Sequence, residues 1–68
     1  MMIFENRIKE MRQKKGLSQK KMSEMLGVSR QTIISIEQGR YNPSLPFSIQ
    51  IARFFNSTVE EVFILEEE

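Results

Sequence analysis

The 68-residue chain contains no cysteine, no histidine, no tryptophan and no aspartate, so all nine acidic residues are glutamate. Without cysteine there is neither a disulfide framework nor a thiolate metal site, and a cytoplasmic setting is the expected one. Without histidine and aspartate as well, catalytic triads, zinc sites and most metal clusters cannot be assembled. Serine–lysine or glutamate–glutamate chemistry would remain, in a core too small to desolvate it. The composition therefore argues against an enzyme, and no cofactor is expected. Long apolar runs are missing too: Val62 to Leu65 is among the longest, against the ~20 residues that cross a bilayer. Met1 to Phe4 gives way at once to Glu5, Asn6 and Arg7, so neither a signal peptide nor a membrane role is expected.

What is present suits one small globular domain, with 40% hydrophobic and 28% charged residues. The net charge of +1 conceals a division. Residues 1–53 hold all ten lysines and arginines against four glutamates, giving +6, whereas residues 54–68 hold five glutamates and no base, giving −5. A basic body with an acidic end can meet a polyanion with one side only.

Apolar residues recur at helical spacing, and no stretch alternates as a strand would, so an all-α fold is expected. Phe4, Ile8 and Met11 share one face of a first helix that stops at Gly16. Ser18 is placed to cap a second helix over Gln19 to Leu26, which Gly27 breaks. Ser29 caps a third helix, Arg30 to Gln38, with Ile33 and Ile36 inward and Gly39 closing it. After Arg40-Tyr41-Asn42-Pro43, Ser44 caps a fourth helix, with Leu45, Ser48, Ala52 and Phe55 on its inner face and Pro46 in its first turn. Thr58-Val59-Glu60-Glu61 is a capping box for a short fifth helix. Five short helices with brief connections predict a compact five-helix bundle, followed by an acidic tail over 63–68.

Residues 19–38 have the spacing of a helix-turn-helix. That motif needs a small residue where its helices cross, a turn residue tolerant of positive φ, and apolar anchors in the second helix. Ser23, Gly27, Val28, Ile33 and Ile36 fill those places. An ordinary helical hairpin in a core can share the pattern, so spacing alone leaves both readings open.

Gly16-Leu17-Ser18-Gln19, Leu26-Gly27-Val28-Ser29-Arg30-Gln31-Thr32-Ile33 and Ile36-Glu37-Gln38-Gly39-Arg40 resemble the Cro/C1-type (XRE) helix-turn-helix family of transcriptional regulators. Asn42-Pro43-Ser44-Leu45, Ile51-Ala52 and Val59-Glu60-Glu61-Val62-Phe63 extend the resemblance over residues 8–62. It implies a phage-repressor-like domain, double-stranded operator DNA as partner, and a homodimer on a palindromic site. The recognition helix would begin at Ser29 and enter the major groove, with Arg30, Gln31, Thr32, Ile34 and Ser35 against the bases. Arginine can grip guanine O6 and N7, and glutamine can pair with adenine N6 and N7. Phosphates would be held by Gln19, Ser29, Gln38, Arg40, Tyr41 and Asn42, which fix register without reading sequence. The resemblance also implies an ion pair between Arg12 and Glu37, tying the first helix to the recognition helix.

Three positions depart from the family pattern. Ser23 stands where alanine is frequent. Pro46 and Phe47 replace a charged-then-aliphatic pair, which predicts a delayed start to the fourth helix. Ile34 places an apolar side chain on an otherwise polar face. The alternative function is a protein-interaction module on the same fold, using Ile34, Phe47 and the acidic tail. RNA binding lacks its usual aromatic platform, with Tyr41 the evident candidate. Control by a small-molecule ligand is not expected in so short a chain.

Overall fold

A computed structural model describes residues 2–67. The elements run β1 (Met2–Asn6), α1 (Ile8–Lys14), α2 (Gln19–Leu26), α3 (Arg30–Glu37), α4 (Leu45–Phe54), α5 (Val59–Val62) and β2 (Phe63–Glu67). The five helices pack around Ile8, Met22, Leu26, Ile33, Ile36, Ile51, Ala52, Val62 and Phe63. Each helix contributes to that core, as the period of the apolar residues requires. Among the described residues no helix is long and apolar enough to cross a membrane.

Serine and threonine caps set most of the boundaries. Ser18, Ser29, Ser44 and Thr58 each accept a backbone N–H three residues on, from Lys21, Thr32, Phe47 and Glu61 respectively. Helix starts leave orphan N–H groups, and a short side-chain oxygen in extended backbone satisfies one of them. At α5 the box is complete, because the Thr58 N–H donates back to Glu61 Oε1 at 3.0 Å. This carboxyl lies below its usual pKa, first because the Thr58 backbone donates to it and then because of the Thr58 side chain.

The strand pair overturns the expectation of helices alone. β1 and β2 are antiparallel, with Asn6 opposite Phe63, Phe4 opposite Leu65 and Met2 opposite Glu67. Phe4 therefore belongs to a strand and not to the first helix, and the segment set apart as an acidic tail is β2 as far as Glu67. Asn6 explains the boundary. Its side chain accepts the Ile8 N–H at 3.1 Å and donates to the Ile36 carbonyl at 2.8 Å, while the Arg7 N–H donates to the Val62 carbonyl at 2.8 Å. These bonds hold the backbone before Ile8 against α3 and α5, in place of another helical turn.

Three further corrections are local. Leu45 does not join the inner face of α4, being 67% exposed, and Ile51 is the fully buried residue there. Pro46 delays nothing: α4 begins at Leu45 with proline in its first turn, where a missing N–H breaks no bond. α3 ends at Glu37, and Gln38 is its C-cap.

Candidate nucleic-acid interface

α2 and α3 form the helix-turn-helix. Gly27, at φ 73°, ψ 31°, is the left-handed residue that ends α2, and a Cβ there would meet nothing within 4 Å. The turn thus demands its conformation and not extra space. Ser23 is buried where the helices meet, and its hydroxyl donates to the Lys20 carbonyl at 2.6 Å. A serine can replace alanine there because its one polar group is satisfied within its own helix.

The outward face of α3 follows from its burial pattern. Ile33 and Ile36 are 1% exposed and anchor the helix. Arg30 and Gln31 are exposed, while Thr32, Ile34 and Ser35 are half-buried beside them. The Ser29 hydroxyl, already accepting the Thr32 N–H at 3.1 Å, lies 2.9 Å from Thr32 Oγ1. Gln31 Nε2 donates to Ser35 Oγ at 3.4 Å.

After α3, the Gly39 N–H donates to the Ile36 carbonyl and the Arg40 N–H to the Ser35 carbonyl, at 3.0 and 2.9 Å. This closure turns the chain out so that Gln38, Arg40, Tyr41 and Asn42 are all exposed. Ser29, Gln31, Thr32, Ser35 and Tyr41 border one recess of about 330 Å³. Tyr41 therefore shares a surface with α3, which its position in a loop did not reveal.

Beneath this face is a buried polar hub. Arg12 Nε donates to Glu37 Oε2 at 2.7 Å, and a second guanidinium nitrogen reaches Glu37 Oε1 at 3.2 Å. The two side chains are only 9% and 4% exposed. The remaining Arg12 nitrogen donates to the Leu17 carbonyl at 2.8 Å, and Gln19 Nε2 donates to Glu37 Oε1 at 3.2 Å. α1, the loop before α2, α2 and α3 are thus joined through one Arg12–Glu37 pair. The Gln19 and Leu17 members were not visible in the sequence, because neither separation is a recurring one. Gln19 is half-buried at the first position of α2, with its amide nitrogen turned to Glu37.

Two features bear on the interaction-module alternative. Phe47 is packed against the core, so it offers little to a partner. Ile34 is half-buried, and β2 carries an exposed Leu65. A second recess, lined by Arg7, Met11, Lys14, Lys15, Phe55 and Glu61, lies outside the helix-turn-helix.

Comparison with known proteins agrees with this geometry. The helix-turn-helix family matches residues 8–62. An uncharacterized HTH-type transcriptional regulator of Archaeoglobus fulgidus is 47% identical over 62 residues, spanning 91% of this chain and 87% of that protein. Another such regulator, YgzD of Bacillus subtilis, is 47% identical over 65 residues, or 96% of this chain and 98% of that one. Among solved structures, a putative DNA-binding protein from Bacteroides fragilis superposes with a TM-score of 0.79 at 24% identity, covering 90% of this chain and 98% of that one. At that identity the likeness concerns the fold.

Proposed function

Since the chain belongs to the Cro/C1-type helix-turn-helix family, we propose that it is a small transcriptional regulator that binds double-stranded DNA by sequence. The observation that carries this reading is the outward, mostly polar face of α3, with exposed Arg30 and Arg40 at its two ends and the Arg12–Glu37 hub bracing it from below. In this reading α3 lies in the major groove with its N-terminal end forward. Arg30, Gln31, Thr32 and Ile34 meet base edges, with Ser35 on the same face beside Gln31, and Gln19, Ser29, Gln38, Arg40, Tyr41 and Asn42 meet phosphates. Arg30, Arg40, Tyr41 and Asn42 make no side-chain hydrogen bond or ion pair among the described residues. Their polar groups are accordingly available to a ligand.

The finer proposal is a repressor-like homodimer, acting in the cytoplasm on a palindromic operator with half-sites ~34 Å apart. Leu65, 59% exposed on β2, and the half-buried Ile64 beside it supply apolar surface for the dimer contact. Selection from a random duplex pool at ~150 mM salt, where purely phosphate-driven binding is weakened, tests the reading. An enriched inverted repeat is the expected result. A single enriched half-site removes the dimer, and no enrichment by a folded protein removes the regulator. Loss of binding in Arg30→Ala/Gln31→Ala then assigns the enriched site to α3.

A further inference from the structure

We propose that Ser35 is a positioning residue that makes Gln31 a reader of adenine and not of guanine; this rests on the DNA-reading role of α3 proposed above. A free glutamine amide can face a purine in two ways. It can turn both Nε2 hydrogens toward guanine O6 and N7, or it can set one of them beside Oε1, against adenine N7 and N6. Gln31 and Ser35 are one helical turn apart on the outer side of α3, and Nε2 gives one of its hydrogens to Ser35 Oγ at 3.4 Å. A single hydrogen is then left beside a carbonyl oxygen that has no partner among the described residues. One donor next to one acceptor is the complement of adenine, and the two-donor arrangement that suits guanine is lost.

The surroundings leave this task to Ser35. Ser29 Oγ is occupied as the cap of α3, and its remaining contact is with Thr32 Oγ1 at 2.9 Å. The same four α3-side residues and Tyr41 border the recess on this face, so a base edge entering it meets the free amide atoms. The bond is long and exposed, and exclusion of water by the duplex should strengthen it. Ser35 therefore touches Gln31 rather than the base, a different role from the direct contact its position in α3 implies.

The test is parallel selection from a random duplex pool with the unaltered protein, Gln31→Ala, Ser35→Ala and Ser35→Thr, read position by position. The unaltered protein should enrich an adenine at one position of each half-site, and Gln31→Ala should lose that preference alone. Ser35→Ala should admit guanine there, lowering the adenine-to-guanine ratio by about fivefold, as expected when one side chain is no longer held in place. Every other position should be unchanged. Ser35→Thr keeps the hydroxyl and should keep the ratio. The proposal is overturned if Ser35→Ala gives the same profile as the unaltered protein, if it weakens all positions alike, or if the Gln31-dependent position is not adenine. Failure of the unaltered protein to enrich any site overturns the DNA-reading role itself, and this inference with it.

Discussion

Arg12 carries a charge into the interior and gives every part of its guanidinium a partner: two oxygens of Glu37 and the Leu17 carbonyl. Removing one member of a buried pair leaves the other charge without compensation, at a cost of about 3–5 kcal/mol. Arg12→Ala and Glu37→Ala should each lose about that much stability, and the double variant should lose far less than their sum. Urea unfolding of the four proteins checks this, and a coupling near zero would contradict it. Asn6 is a second residue of this kind, with its amide shared between Ile36 and Ile8. Asn6→Ala should cost about 1–3 kcal/mol through two unmade hydrogen bonds. A loss below about 0.5 kcal/mol would show that water replaces the side chain freely.

At the scale of elements, the capping box of α5 links stability to pH. Glu61 has a lowered folded-state pKa through the Thr58 backbone and then its hydroxyl. A depressed carboxyl contributes stability above its unfolded value, and that contribution is lost as pH falls through the folded one. Thermal melts of the unaltered protein and Glu61→Gln should therefore converge as pH falls below the ordinary glutamate value of 4.5. A difference that stays constant as the pH is lowered through the acid range would exclude the linkage. Local rules explain why α2, α4 and α5 could be read in advance: caps at Ser18, Ser44 and Thr58 and a left-handed glycine at 27 act within a few residues. β1 and β2 were opaque for the opposite reason. Neither has a turn dipeptide or a partner nearby, and their pairing joins segments from opposite ends of the sequence. At the interface, the inward placement of Ile33 and Ile36 followed from helical spacing, and the outward residues of α3 from the family resemblance. The Gln19–Glu37 bond and the approach of Tyr41 to α3 arise from packing, which no spacing rule encodes.

For the whole molecule, charge distribution governs how DNA is approached. Residues 1–53 carry +6 and residues 54–68 carry −5, so association should weaken steeply with salt while the acidic end faces away. Each phosphate neutralised adds about −0.9 to the slope of log K against log salt. Arg40→Ala should make that slope shallower by about one without altering sequence preference. Titrations of a fixed duplex at several salt concentrations measure it, and an unchanged slope would place Arg40 away from the backbone.

The ribbon of β1 and β2 also imposes an order of assembly. Its pairing joins Asn6 to Phe63 and Met2 to Glu67, so forming it means closing a loop of almost the entire chain. The turn between α2 and α3 brings together near neighbours. Closure entropy rises with separation, and non-local contacts are slow to form. α2 and α3 therefore come together early and the ribbon shuts last. In the finished protein opening should begin where the two strands meet, and hydrogen exchange checks it: their amides should exchange with solvent before those of α3.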